Sequence, residues 1–346
     1  MQKRFLLLCT SVGWFYGQTY LWAKGVPMAP LSPQHGLHAS TGGGSSTPTW
    51  LRIAKVAGAL GVLGGVAYGV QVLVNTLMVP ASTFPVSKLT LGQKHALQRT
   101  AALEADGIQQ QVFAGPYGPL HTLRICPAQA DKMIVMLGGN AMSAADTLLG
   151  DGAELMQATQ ACVIAFDYPS LKGSKLVDST AALVRDQVAR FGARHTFLVG
   201  HSLGGAVAIE VAAQLKAEGR TLRVVTDRTF TRMDTEVHEL MGLPMLMVKP
   251  LLYLLGWQLN PLQSIQQLAA ADQLHFYIEG DEIIQGQANF SFAKQALPEL
   301  PIFAIDPLPA YYPRGSRHNL GLRELTSAQE PMISWIGEQI LRWAGE

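Results

Sequence analysis

One five-residue stretch, Gly200-His201-Ser202-Leu203-Gly204, constrains this chain more than any other feature. It has the form G-x-S-x-G and separates two runs of different character. Thr196-Phe197-Leu198-Val199 before it is β-branched and aromatic; Ala206-Val207-Ala208-Ile209-Glu210 after it favours helix. In a chain with 34 glycines the pentapeptide alone is a modest signal. At a strand-to-helix corner it becomes specific, because a side chain presented on so tight a turn needs small neighbours, and Gly200, Gly204 and Gly205 supply them. The start of the following helix places partial positive charge and free N–H groups beside Ser202, where an oxyanion would form.

A nucleophilic serine needs a base, and the base needs an orienting carboxylate. After such an elbow the partners follow in the order acid, then histidine. Only His238, His275 and His318 follow Ser202. His275 falls inside an apolar strand-like run and His238 in a helical stretch, whereas His318 lies in the loop Arg314-Gly315-Ser316-Arg317-His318-Asn319 beyond the last strand. His318 is the expected base. The expected acid is Asp281, just past the run Leu274 to Ile278 and the turn residue Gly280. Asp227, Asp306, Glu279 and Glu282 are its rivals. The expected oxyanion donors are the amides of Leu203, next to the serine, and of Asn140, in the glycine turn Gly138-Gly139-Asn140-Ala141.

From about residue 87 onward, short apolar runs alternate with helical stretches, which predicts a mostly parallel sheet flanked by crossover helices. Strands are expected at 110–113, 120–125, 133–137, 162–166, 196–199, 222–225, 274–278 and 302–305. The first two form a hairpin across Gly115-Pro116-Tyr117-Gly118. Helices are expected at 144–157, 179–191, 203–218 and 330–344. Residues 228–272 exceed what one crossover requires and carry a Met-rich apolar block, which fits either a lid over an acyl-chain pocket or a helix of the ordinary outer layer.

The formal charge of the 346 residues is only +1, with no stripe of Lys and Arg, which argues against a nucleic-acid partner. The three cysteines, Cys9, Cys126 and Cys162, are widely spaced and fit neither a disulfide framework nor a zinc site. Cys162, opening an apolar run, reads as a buried thiol. No cofactor or metal is expected.

The N-terminal part has a different texture. Residues 1–50 hold an interrupted apolar segment, Phe5 to Ala23, followed by a linker rich in Pro, Gly, Ser and Thr. The segment fits a signal sequence, a first anchor or an amphipathic surface helix. Residues 51–80 read as a transmembrane helix: Val56 to Val74 has Gln71 as its single polar side chain, enough to approach a hydrocarbon core of about 30 Å. Ala57, Gly61, Gly65 and Gly69 recur every fourth residue, a small-residue face suited to helix–helix self-association in lipid. Arg52 and Lys55 put the C-terminal domain on the non-cytoplasmic side if this segment spans alone; a second span at 5–23 reverses that.

Taken together, residues 87–346 resemble the α/β-hydrolase superfamily, especially its abhydrolase-domain and monoacylglycerol-lipase-like branches. The resemblance rests on five motifs in order: Leu137 to Ala141 as the oxyanion loop, Phe166-Asp167-Tyr168-Pro169 after the fourth strand, Gly200 to Gly205 as the elbow, Gly280 to Ile284 as the acid loop, and Arg317-His318-Asn319. Two departures stand out. Gly138 replaces the usual oxyanion-loop histidine, removing its bracing hydrogen bond, and Pro169-Ser170 replaces a usual glycine. The resemblance implies a serine hydrolase; the apolar N-terminal segments and the 228–272 block add the expectation that it sits at a membrane and acts on lipid or acyl esters. A thioesterase or acyltransferase uses the same residues, and a non-catalytic membrane-tethered binding protein uses the same fold.

Overall fold

The computed structural model describes residues 107–140, 142–168, 173–308, 317–327 and 330–346. The segments read as linker, transmembrane helix and self-association face lie outside the described residues, as does Pro169-Ser170. Among the described residues no helix is long and apolar enough to cross a membrane.

Among the described residues ten strands form one sheet: β1 (Gln109–Gly115), β2 (Gly118–Ile125), β3 (Met133–Leu137), β4 (Cys162–Phe166), β5 (Thr196–His201), β6 (Arg223–Asp227), β7 (Gln273–Ile278), β8 (Ile302–Pro307), β9 (Leu325–Ser327) and β10 (Glu330–Pro331). Their spatial order is β1-β2-β4-β3-β5-β6-β7-β8-β9-β10. The central run from β4 to β8 is parallel. The edges are antiparallel, through the β1–β2 hairpin with β2 on β4 and through β8–β9–β10. All eight expected strands are present. The short β9 and β10 were not expected, because runs of three and two residues carry no readable alternation.

The central strands are apolar on both faces because helices cover both. Ile134, Met136, Val163, Ala165, Phe197, Val199, Phe276 and Ile278 point one way. They pack on Ile336, Ile340 and Trp343 of the C-terminal helix α9 (Met332–Gly345). The alternate residues Met133, Val135, Leu137, Ile164, Phe166, Leu198 and Val224 pack on helices α3 (Gly173–Phe191) and α4 (Leu203–Ala217). This period of two with burial on both sides is what a parallel sheet demands.

The helix expected over 144–157 is α1 (Ala144–Thr147), a π turn (Leu148–Gly152) and α2 (Ala153–Thr159). Between β6 and β7 the chain makes three helices, α5 (Met233–Met241), α6 (Met245–Leu255) and α7 (Pro261–Ile265). A short helix α8 (Phe290–Ala296) links β7 to β8.

The reading of Cys162 as a free buried thiol is corrected. Cys126 and Cys162 are joined in a disulfide. The antiparallel register Ile125↔Val163 places these two residues opposite each other one step further along. Their separation of 36 residues hides that pairing from any reading along the chain.

Candidate active site

Strand β5 ends at His201, and α4 begins at Leu203, so Ser202 occupies the corner alone. Its φ is +53° and ψ −119°, a conformation that costs a non-glycine residue about 1–3 kcal/mol. The surroundings hold it there. The Ser202 N–H donates to the Asp227 carbonyl at 3.0 Å, and Thr229 Oγ1 donates to the Ser202 carbonyl at 2.7 Å. The corner is also too tight for side chains beside it. A Cβ on Gly200 would lie 2.5 Å from the Gly204 carbonyl oxygen, and one on Gly204 only 2.1 Å from that of Leu137.

Three of the sequence-nominated residues meet here. His318 Nε2 lies 2.9 Å from Ser202 Oγ, and His318 Nδ1 lies 2.9 Å from Asp281 Oδ2. All three are buried. The second oxygen of Asp281 accepts the N–H groups of Ile283 and Ile284 at 2.8 and 2.9 Å, which fixes the carboxylate and leaves Oδ2 for the imidazole. The two loops are also tied to each other. Glu282 accepts the backbone N–H groups of Arg317 and His318, and Arg317 Nη1 donates to the Glu279 carbonyl.

The competing residues are engaged elsewhere. His275 is fully buried in β7 between Thr226 Oγ1 at 2.7 Å and Gln273 Oε1 at 2.9 Å, and burial draws its pKa down to about 3. His238 Nδ1 bonds the Leu243 carbonyl. Asp306 is exposed opposite Thr326 at the end of β8, and Asp227 is held by Arg228 and His201.

The loop after β3 lies against the elbow. A Cβ on Gly139 would sit 2.8 Å from His201 Cδ2 and 3.3 Å from Ser202 Cβ, so the backbone of this loop approaches the serine as closely as glycine permits. Asn140 follows, and Leu203 opens α4 next to Ser202. Among the described residues no protein acceptor takes the N–H of either. The expected loss of bracing at Gly138 is corrected in part. The loop has no histidine, but the buried Tyr168 hydroxyl donates to the Gly138 carbonyl at 2.7 Å. Asp167 accepts the N–H of Ala144 at 2.8 Å, holding the helix that follows. Gly138 also has a steric reason: a Cβ there would meet Thr147 Oγ1 at 2.4 Å.

Sequence reasoning missed a second layer of polar residues. His201 Nδ1 lies 3.1 Å from Asp227 Oδ2, and its ring centroid is 5.1 Å from that of His318. Burial draws the His201 pKa down to about 4 against the pull of Asp227, which keeps it neutral at ordinary pH. For Asp227, burial pushes the pKa up, but Arg228 and His201 outweigh it and hold it below the usual carboxylate range. The signal available was the ion pair Asp227-Arg228 at the end of an apolar run.

The sequence pattern of the alpha/beta hydrolase family matches residues 134–335, more than half of the chain. The chain belongs to the alpha/beta hydrolase family. Among solved structures, an alpha-beta hydrolase from Vibrio vulnificus is similar at 17% identity over 68% of this chain and 84% of that one, with a TM-score of 0.50. A Pyrobaculum calidifontis esterase is 14% identical over 80% of this chain and 98% of that one, with a TM-score of 0.48. At such identities the likeness is one of fold. No curated protein sequence matches. Within this hydrolase fold, Ser202, Asp281 and His318 stand after β5, β7 and β8, at the carboxyl ends of the parallel strands, where open α/β sheets bind ligands. Among the described residues no group of three or more His, Cys, Asp or Glu is placed to hold a metal ion.

Proposed function

We propose that this chain is a serine hydrolase that cleaves carboxylic esters through Ser202, His318 and Asp281. The observation that carries the reading is the relay from Ser202 Oγ to His318 Nε2 and from His318 Nδ1 to Asp281 Oδ2, each gap 2.9 Å, at the start of a helix. In the reaction His318 Nε2 takes the Ser202 proton as Oγ attacks the ester carbonyl carbon. Asp281 holds the imidazole by Nδ1 and stabilises its charged form. The carbonyl oxygen becomes an oxyanion facing the amides of Leu203 and Asn140, aided by the N-terminal end of α4. His318 then returns the proton to the leaving alcohol. Water then gives a proton to His318 as its oxygen attacks the acyl carbon, the bond from that carbon to Ser202 Oγ breaks to release the acid, and His318 returns the proton to Oγ.

The substrate class proposed is a lipid or long-chain acyl ester. The region read as a lid supports it, because α6 turns large apolar side chains outward. Leu246, Met247, Tyr253 and Leu254 are 88%, 51%, 72% and 80% exposed, spaced along one side of the helix. Such a stripe fits contact with lipid or acyl chains better than with water. Residues 51–80 as a membrane anchor, with self-association through Gly61, Gly65 and Gly69, belong to the same proposal and place the enzyme at its substrate.

The test is labelling with a fluorophosphonate probe, followed by hydrolysis of p-nitrophenyl esters of increasing chain length. Wild type should label, Ser202→Ala should not, and rates should rise from acetate to octanoate and longer. A wild type that labels no better than Ser202→Ala sinks the hydrolase reading. A preference for acetate sinks the lipid one.

A further inference from the structure

Three consecutive residues at the end of β6 touch both halves of the site. Asp227 accepts the Ser202 N–H on its carbonyl and faces His201 with its carboxylate. Thr229 donates to the Ser202 carbonyl. Between them Arg228 is 2% exposed and adopts a left-handed φ of +48°. All three nitrogens of its guanidinium are engaged. Nε donates to both oxygens of Asp227 at 2.9 and 3.0 Å, and Nη2 donates to Oδ2 as well. Nη1 reaches the Arg317 carbonyl at 2.7 Å, and Nη2 the Leu320 carbonyl at 2.6 Å. Those two carbonyls flank His318 on either side.

We infer that Asp227 and Arg228 form a positioning unit that locks the histidine loop onto the nucleophile elbow and so sets the distance from His318 to Ser202. The inference rests on the serine-hydrolase reading for its effect on rate, and on geometry alone for its effect on the loop. Only a guanidinium can make these contacts, because a planar fork of donors is needed to span a carboxylate and two carbonyls at once. A lysine keeps the charge and loses the span. Neither residue reaches the reacting atoms. A catalytic group held this way costs little binding when misplaced and much rate.

The experiment compares wild type, Arg228→Lys and Arg228→Ala in the full-length chain. Ester kinetics are measured with and without added guanidinium, and amide hydrogen exchange is followed across 317–322. In Arg228→Lys, kcat should fall about 100-fold with KM within about threefold. Exchange at 317–322 should quicken at least tenfold. Added guanidinium should restore Arg228→Ala at least tenfold. Wild-type exchange at 317–322 in Arg228→Lys overturns the brace whatever the activity. So does a kcat within twofold of wild type. If wild type neither labels nor hydrolyses but the loop still opens in the variants, the brace stands and the hydrolase reading falls.

Discussion

The hydroxyl of Tyr168 donates to the carbonyl of Gly138 at 2.7 Å, which joins the chain beyond β4 to the loop beyond β3 across 30 residues of sequence. Tyr168 is buried, and burial pushes its pKa above the ordinary tyrosine value, so the group stays a donor at every working pH. Tyr168→Phe leaves the Gly138 carbonyl without that donor. Stability should fall by about 1–3 kcal/mol. The loop carrying Asn140 should loosen as well, lowering kcat more than it raises KM. Urea unfolding and ester kinetics check both, and unchanged kcat would leave Tyr168 with no part in the proposed oxyanion loop.

Glu236, near the start of α5, is 6% exposed with a buried Oε2 that has no partner among the described residues. Burial first, then the nearby charges of Asp281 and Glu239, raise its pKa from an ordinary 4.5 to about 8. Between these values the folded protein holds a proton that the unfolded chain has lost. Stability contributed by the neutral acid is therefore present below about pH 4.5 and drains away as pH rises towards 8. Glu236→Gln should be little different from wild type at pH 4.5 and more stable at pH 9. Urea midpoints at the two pH values measure this, and an equal difference at both would refute it.

Removing the Cys126–Cys162 disulfide should cost stability because it closes a long loop between β2 and β4. Cys126→Ser with Cys162→Ser should lose about 2–4 kcal/mol and about 5–15 °C in Tm. Thiol titration of the unfolded chain offers a direct check. One thiol, that of Cys9, should react before reduction, and all three afterwards.

The exposed face of α6 makes a prediction about substrate state. Leu246→Gln with Leu254→Gln changes two side chains that are 88% and 80% exposed, so folding should shift by no more than about 0.5 kcal/mol. Activity on a short soluble ester should persist while activity on vesicle-borne or micellar long-chain esters falls about tenfold or more. An equal loss on both kinds of substrate would count against the lipid-facing role.

Much of the fold was legible along the chain because it is built from local periods. The inner strands β3 and β4 are continuous apolar runs buried on both faces, and such runs announce themselves. The elbow was legible because its glycines, its serine and the change from strand to helix are adjacent in sequence. Asp281 and His318 were legible as the expected acid and base through their order and their places after strands.

What decided among those rivals was pairing between distant segments. Asp227 does not meet His318 because Arg228 and His201 take its carboxylate, and Asp306 stands exposed at the end of β8 opposite Thr326. His275 is satisfied inside the core by Thr226 and Gln273. The Cys126–Cys162 pair, the Tyr168 brace and the Arg228 bridge to Arg317 and Leu320 share that origin. Each depends on which strands lie side by side and where loops converge, which no local period encodes. Sequence by itself therefore determined the layered α/β architecture and the serine at its corner. The tertiary structure alone decided which imidazole reaches that serine and which carboxylate reaches the imidazole, because a hydrogen bond needs atoms within about 3 Å and Ser202 and His318 are 116 residues apart.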